Sequence, residues 1–211
     1  MAGCCSHDAN FDGVSRDYKR RLIAVLILNA TMFVVEILAG HMAGSQALQA
    51  DALDFLGDSL TYGISLAVIG QSHALRSSAA LVKGASLLIM GLWVLGSTVV
   101  HVYQGDVPQA PVMGWVGFMA LAANLASVAL LASYRNGDAN VRSVWLCSRN
   151  DAIGNVAVMA AALGVWGTAT RWPDLAVAAI MATLFLSSAW QITRQALQER
   201  QGARHGHAHH H

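Results

Sequence analysis

Three aspartates lie at the head of an otherwise apolar stretch, QADALDFLGDSLTYGISLAVIG, residues 49–70. Asp51, Asp54 and Asp58 are separated by three, four and seven residues, so on a helix they share one face. A carboxylate among apolar residues is stable only when it is paired, hydrogen-bonded or bound to a cation. The spacing therefore predicts a polar stripe that binds cations.

A second set of ligand-type residues occurs in NVRSVWLCSRNDAIGNVAV, residues 140–158. Cys147 and Asp151 stand four residues apart and also share a helix face. Thiolate and carboxylate groups both bind zinc and similar ions, which prefer four ligands in a tetrahedron. Two residues from each stretch would supply those four, and the predicted metal ligands are Asp54, Asp58, Cys147 and Asp151.

The elements that must position these residues are membrane helices. Hydrophobic residues make up 55% of the 211-residue chain and charged residues 12%, with a mean hydropathy of +0.46; soluble domains carry about 25% charged residues. A membrane-spanning helix needs about 20 mostly apolar residues. Six runs meet this need, so the sequence predicts an all-α membrane protein with six transmembrane helices, near 21–43, 47–70, 79–103, 112–134, 143–168 and 173–195.

The orientation of these helices follows from the basic residues, because positively charged loops are retained in the cytoplasm. Arg171 is the one basic residue expected in an outer loop, against eleven in the two ends and the inner loops. Both termini are therefore predicted to be cytoplasmic. The eleven are Arg16, Lys19, Arg20, Arg21, Arg76, Lys83, Arg135, Arg142, Arg194, Arg200 and Arg204.

The predicted ligands lie at a common depth in this topology. The second helix runs inward and the fifth outward, which brings Asp54 opposite Asp151 and Asp58 opposite Cys147 near the bilayer midplane. Arg149 is the only basic residue expected well inside a span, and it is predicted to reach back to the cytoplasmic surface. The acids therefore cannot all be neutralised by basic side chains, and ionisable residues inside a membrane mark ion pathways.

Each of four further polar residues has two possible roles. Asp51 is expected to act as a relay towards the site, or to be a carboxylate that the helix dipole favours at a helix start. Glu36 and Asn29, seven residues apart on the first span, line the cavity or hydrogen-bond between helices. Asn155 lies near the metal, or takes no part because an amide oxygen is a weak ligand for soft ions.

The composition divides the chain into three parts. These are an amino-terminal cytoplasmic segment, residues 1–20, a transport domain of six helices, 21–197, and a short cytoplasmic tail, 198–211. No soluble domain is expected after the sixth span. Imidazole and thiolate groups bind zinc-like ions, so the tail is predicted to gather metal, or to be passive or a tag remnant. The residues concerned are His205, His207, His209, His210 and His211, with Cys4, Cys5 and His7 at the other end.

The sequence resembles the cation diffusion facilitator family. The resemblance rests on LNATMFVVEILAGHMAGSQALQADALDFLGDSL in the first two spans and on the Cys147 stretch in the fifth, and it covers about residues 16–197. It implies six membrane helices, cytoplasmic termini, a homodimer with contacts through the third helix, and export of divalent transition metals in exchange for protons. The family's transport-site positions correspond to Asp54, Asp58, Cys147 and Asp151.

Two departures from the family pattern bear on these expectations. Members usually carry a cytoplasmic carboxy-terminal domain, and the chain is expected to stop without one. Cys147 stands where the family usually has His or Asp, and it is either a ligand or a buried cysteine that only packs. As a ligand, its sulfur favours Zn²⁺ and Cd²⁺ over Mn²⁺ and excludes Mg²⁺.

The predicted function is efflux of Zn²⁺ or Cd²⁺ across a cell membrane, with the bacterial inner membrane favoured. Clustered carboxyl groups cannot all ionise in a low dielectric, so the empty site holds protons that a divalent ion expels when it binds. Metal and protons are then exchanged by alternating access, with no cofactor, catalytic chemistry or nucleic-acid partner. A membrane cation channel and a membrane metalloenzyme are the alternatives, although no HExxH motif is present.

Overall fold

The computed structural model describes the backbone of residues 15–68, 73–134 and 139–206, and the side chains of 15–64, 66–67, 81–134 and 148–194. These residues form six α-helices and one 3-10 turn. The helices are α1 Arg16–Ala43, α2 Gln46–Val68, α3 His73–Gln104, α4 Ala110–Leu131, α5 Ala139–Thr168 and α6 Trp172–Gly206, and the 3-10 turn Ala132–Tyr134 follows α4. The six helices overlap the six predicted runs, and α6 continues into the segment predicted to be a tail.

The turn between α1 and α2 depends on one glycine. Gly44 has a φ of 66°, a left-handed conformation that side chains with a Cβ rarely adopt. Its neighbour Ser45 donates its backbone N–H to the carbonyl of Gly40 at 2.9 Å, which closes the end of α1. The chain then reverses direction at once, so α1 and α2 pack side by side along their length.

Five helical segments are long and apolar enough to cross a membrane, within the part of the chain that the structure describes. They are Arg16–Ala43, Leu81–Gln104, Ala110–Tyr134, Ser148–Thr168 and Trp172–Arg194. The helix α2 is not among them, because every stretch of it long enough to span a bilayer contains Asp51, Asp54 and Asp58. The prediction of an all-α protein with membrane-length helices is confirmed, and the count of six spans stays a prediction.

The helix α2 lies at the centre of the packing. It contacts α1 along its length and also meets α3, α5 and α6, while α3 pairs with α6 and α4 pairs with α5. Small residues on α2, Ala47 and Ala50, are fully buried in a core that also contains Met113, Val158 and Ala178. Small side chains allow helices to approach closely in a membrane, so α2 carries its acids through the middle of the bundle.

Glycines on α3 account for its close contact with α6. A Cβ added at Gly84 would lie 2.6 Å from Thr193, and one at Gly91 would lie 2.9 Å from Leu186. A Cβ at Gly96 would meet nothing within 4 Å. The absence of a Cβ therefore allows close approach to α6 at Gly84 and Gly91, and Gly96 is not part of this contact.

Candidate metal centre

A cavity of about 320 Å³ opens between α2, α3, α5 and α6. Its acidic lining comes from two helices, since α2 contributes Asp54 and Asp58 and α5 contributes Asp151. The other lining residues are Gly57, Thr61, Lys83, Leu87, Asn150, Gly154, Met181, Leu184, Phe185, Ser188 and Ile192. The three carboxyl groups that the spacing placed on two separate helix faces thus line one cavity.

Asp151 joins the two acids of α2. It lies within hydrogen-bonding reach of the carboxyl groups of both Asp54 and Asp58. The predicted arrangement opposed Asp151 to Asp54 alone, whereas the structure places it level with both. Because α2 and α5 run in opposite directions, one residue of α5 can lie between two residues of α2 that are a single turn apart.

Two residues that sequence reasoning missed hold Asp58 in place. The hydroxyl of Tyr62, one turn further along α2, donates a hydrogen bond to Oδ2 of Asp58. The same hydroxyl lies 3.2 Å from Oγ of Ser148 on α5. Both Tyr62 and Ser148 are fully buried. The four-residue spacing between Asp58 and Tyr62 was a sequence signal for the first of these contacts.

The side chain of Cys147 lies outside the described residues, although its backbone belongs to α5. Among the described side chains, no group of three or more His, Cys, Asp or Glu residues is arranged to hold a metal ion. Cys147 as the fourth ligand therefore stays a prediction. The histidines of the tail, including His205, and the amino-terminal Cys4, Cys5 and His7 likewise lie outside the described side chains.

The basic residue that lines the cavity is Lys83, and Arg149 is not part of the lining. Arg149 is exposed, and its guanidinium donates to Oδ1 of Asn150 at 3.3 Å. Lys83, which the sequence predicts near the loop before the third span, is partly buried and lines the cavity. It acts electrostatically on both Asp54 and Asp58. Its position one helical turn from Leu87, on an apolar span, was the available signal.

Asp51 and Glu36 lie beside each other away from the cavity. Asp51 on α2 is 1% exposed and Glu36 on α1 is 0% exposed, and the two carboxyl groups interact directly. Neither residue is part of the cavity lining. Within the described part of the chain, neither oxygen of Glu36 has a partner with full hydrogen-bond geometry. The structure thus places an acidic pair next to the site without opening it to the cavity.

The two asparagines singled out in the sequence are buried as well. The amide of Asn29 donates from Nδ2 to the carbonyl of Val25 at 2.8 Å, one turn back along α1. Asn155 is 0% exposed, and its side-chain amide has no hydrogen-bond partner among the described residues. Neither asparagine lines the cavity. The bond of Asn29 is within its own helix, in contrast to the predicted bond between helices.

Charged and polar contacts close the end of the bundle that lies away from the cavity. Asp174 at the start of α6 accepts hydrogen bonds from Oγ of Ser45 at 2.6 Å and from the backbone N–H of Gln46 and Ala47 at 2.8 and 3.0 Å. It therefore binds the first N–H groups of α2, which have no partner within their own helix. One carboxylate thus ties the start of α6 to the start of α2.

A second contact joins α3 to the same end. The guanidinium of Arg171 donates to the carbonyl of Val102 at 2.8 Å and also to that of Gly105. His101 on α3 lies 3.2 Å from the amide of Gln46, measured between Nε2 atoms. Helices α2, α3 and α6 are held together here, whereas the cavity lies between their other halves.

Comparison with known proteins gives the chain its family. The model of the cation efflux transmembrane domain matches residues 22–199. Metal cation efflux system protein CzcD of Cupriavidus metallidurans is 25% identical over 191 residues, covering 85% of this chain and 60% of the relative. Zinc transporter ZitB of Pectobacterium atrosepticum is 26% identical over 193 residues, with 85% and 60% covered.

A relative from a third organism is described by a broader set of ions. The cadmium, cobalt and zinc/H(+)-K(+) antiporter of Bacillus velezensis is 22% identical over 205 residues, covering 90% of this chain and 65% of the relative. The chain thus spans about two thirds or less of the length of these relatives. The family match covers most of the chain and agrees with its membrane-length helices. The chain is a multi-pass membrane protein of the cell membrane, and it belongs to the cation efflux family.

Proposed function

We propose that the chain exports a divalent transition metal, Zn²⁺ or Cd²⁺, from the cytoplasm. The observation that carries this proposal is the convergence of Asp54, Asp58 and Asp151 on one cavity between α2 and α5. A buried cluster of carboxyl groups requires a cation or protons to offset its charge. The names of the relatives, which include zinc, cadmium and cobalt, support a metal as the cation.

The proposed ligands are the three aspartates and Cys147. The cysteine lies four residues before Asp151 on α5 and is next to Ser148, which reaches the Tyr62 hydroxyl that holds Asp58. A thiolate with carboxylates suits zinc and cadmium better than magnesium, which demands oxygen ligands. The metal is the cargo of this site and enters no chemical reaction.

The arrangement supports alternating access with the cavity open to the cytoplasm. The proposed topology has six spans and cytoplasmic termini, with the transport domain over 21–197. In it the cavity occupies the cytoplasmic halves of the helices, since Thr61 lies towards the end of α2 and Lys83 towards the start of α3. The Asp174 and Arg171 contacts close the outer halves. Opening the outer end requires these contacts to separate.

Protons are the proposed counter-ions. Asp151 contacts both Asp54 and Asp58, so the empty cluster binds protons that a divalent ion displaces. The word antiporter in the name of the Bacillus relative supports exchange.

We also propose that two copies associate through membrane helices. Of the three glycines on α3, Gly96 is the one that is not packed against α6, so it is available for that contact.

Metal flux in proteoliposomes tests this function. Zn²⁺ movement is measured with an imposed proton gradient for wild type and for Asp54→Asn, Asp58→Asn and Asp151→Asn. Each substitution keeps the side-chain size and removes one charge, and flux is expected to fall more than about tenfold because even the outer partners of metal ligands contribute about 10–100-fold. Asp106→Asn, at an exposed acid outside the cavity, is the matched control and keeps wild-type flux.

Several results would contradict the proposal. Wild-type flux in any of the three cavity variants would remove that aspartate from the site. Flux that does not saturate with metal, or that ignores the proton gradient, would indicate a channel. Asp51→Asn is expected to reduce flux less than the cavity variants, since Asp51 is buried outside the cavity lining.

A further inference from the structure

Lys83 is the basic side chain among the residues that line the cavity. It reaches the cavity from α3, while the three acids come from α2 and α5. The remaining lining residues carry no charge. Leu87, one turn further along the same helix, also lines the cavity, and the charge of Lys83 acts on Asp54 and Asp58.

The charges in the cavity do not balance without a further cation. Lys83 supplies one positive charge against three carboxyl groups, and its ammonium acts on both Asp54 and Asp58. Opposite charges attract several times more strongly in a partly buried site than in water. A divalent ion that enters this cavity meets a positive charge already present, and it must compete with that charge for the same carboxylates.

We propose that Lys83 is the resident counter-cation of the metal-free cavity and that it lowers the affinity of the site for divalent metal. The inference rests on the proposed function and concerns the strength of binding at that site. An ion bound only by acids would be held tightly, whereas a carrier must bind its cargo weakly enough to release it. Lys83 acts through its charge and is not a ligand, because an ammonium group has no free electron pair for a metal.

Metal binding to charge variants of Lys83 tests the inference. The full chain is purified in detergent, and the Kd for Zn²⁺ is measured by calorimetry at pH 8 for wild type, Lys83→Met, Lys83→Gln and Lys83→Arg. Neutralising the lysine removes the repulsion between two cations, so the Kd is expected to fall roughly tenfold for Lys83→Met and Lys83→Gln. Lys83→Arg keeps the charge and stays within about twofold of wild type. If one neutral variant does not fold, the other carries the test.

Two controls separate this inference from the proposed function. Arg194→Met removes a positive charge from an exposed residue of α6 outside the cavity, and it leaves the Kd unchanged. Asp58→Asn removes a proposed ligand and abolishes measurable binding. If Asp58→Asn binds Zn²⁺ as wild type does, the proposed site fails, and the inference fails with it.

The remaining outcomes concern Lys83 alone. If Asp58→Asn loses binding while the neutral Lys83 variants keep the wild-type Kd, only the counter-cation is refuted. Weaker binding in those variants would mean that Lys83 supports the shape of the cavity. Tighter binding in Lys83→Arg as well as in the neutral variants would show that side-chain shape, and not charge, sets the affinity.

Discussion

At the scale of single residues, hydrogen bonds orient the carboxyl groups of the cavity and leave some of their oxygens available to bind an ion. The Tyr62 hydroxyl occupies Oδ2 of Asp58, so this carboxylate is oriented while its other oxygen can reach Asp151 or an ion. Ser148 holds Tyr62 from the neighbouring helix. This support fixes Asp58 more firmly than Asp54, for which the structure gives no comparable hydroxyl partner among the described residues. Asp58 is therefore the better-oriented of the two proposed ligands on α2.

The metal preference should depend on Cys147. If its thiolate is a ligand, Cys147→Ser replaces soft sulfur by hard oxygen and is expected to reduce Cd²⁺ flux more than Zn²⁺ flux, by roughly tenfold in their ratio. Cys147→His retains Zn²⁺ flux, because imidazole is also a good zinc ligand. The measurement is the Zn²⁺ to Cd²⁺ flux ratio in proteoliposomes, together with alkylation of the thiol with and without metal.

If Cys147 only packs against its neighbours, the flux ratio and the alkylation should not depend on it as they would on a ligand. Cys147→Ser would then change both fluxes equally, and metal would not protect the thiol from alkylation. Cys147 is the only cysteine of the transport domain, since Cys4 and Cys5 lie near the amino terminus. A Cys4→Ser, Cys5→Ser background is therefore the matched control for the alkylation experiment.

The sequence predicted the acids of the cavity but not their partners. Asp54 and Asp58 share a face because of their spacing along one helix, and that information is local. The contact of Tyr62 with Ser148 and the placement of Lys83 at the same cavity as Asp58 both involve two helices. They depend on how α3 and α5 are rotated about their axes against α2. Periodicity on one helix does not determine this rotation, so the sequence does not predict that Lys83 lines the cavity.

At the scale of the elements, α2 is the helix that depends most on its neighbours. Three acids keep it from being a membrane span by composition alone, and Asp174 of α6 binds the backbone N–H groups at its start. The apolar run predicted α2 almost to the residue, with 47–70 expected and Gln46–Val68 observed. The hydrogen bonds to Asp174, more than 120 positions later in the sequence, could not be predicted from this apolar run.

Removing Asp174 should destabilise the bundle. Asp174→Ala leaves the Ser45 hydroxyl and the N–H groups of Gln46 and Ala47 without their acceptor in a buried place. The free energy of unfolding is expected to fall by about 3 kcal/mol, since hydrogen bonds to a charged group contribute about 1.5–3 kcal/mol each and some are replaced by water. Unfolding in detergent, followed by the loss of helical circular dichroism, measures this change.

Asp106→Ala is the control for this experiment. Asp106 is an exposed acid between α3 and α4 at the same end of the bundle, and its loss should change stability by less than about 0.5 kcal/mol. Equal stability of the Asp174 and Asp106 variants would mean that α2 does not need the carboxylate to hold its start.

At the scale of the whole molecule, the two ends of the bundle have different roles. One end joins α2, α3 and α6 through Asp174, Arg171 and His101. The other end holds the cavity with its acids and Lys83. A carrier that works by alternating access has two states, and each is open to one side of the membrane only. A bundle closed at one end and open at the other matches one such state. Under the proposed function, the side of the membrane that the cavity faces decides whether metal is loaded from the cytoplasm.

We expect the cavity end to lie in the cytoplasm, because that end carries the excess of basic residues. In a Cys4→Ser, Cys5→Ser background, Asp106→Cys should react with a membrane-impermeant maleimide in intact cells, because Asp106 is exposed at the predicted outer end. Arg194→Cys, exposed near the cavity end of α6, should react only after the cells are permeabilised. The background protein without an added cysteine measures any labelling of Cys147. Reaction of Arg194→Cys in intact cells, with Asp106→Cys protected, would invert the topology. Under the proposed function, the cavity would then face outwards in this conformation, as expected of the state that releases metal.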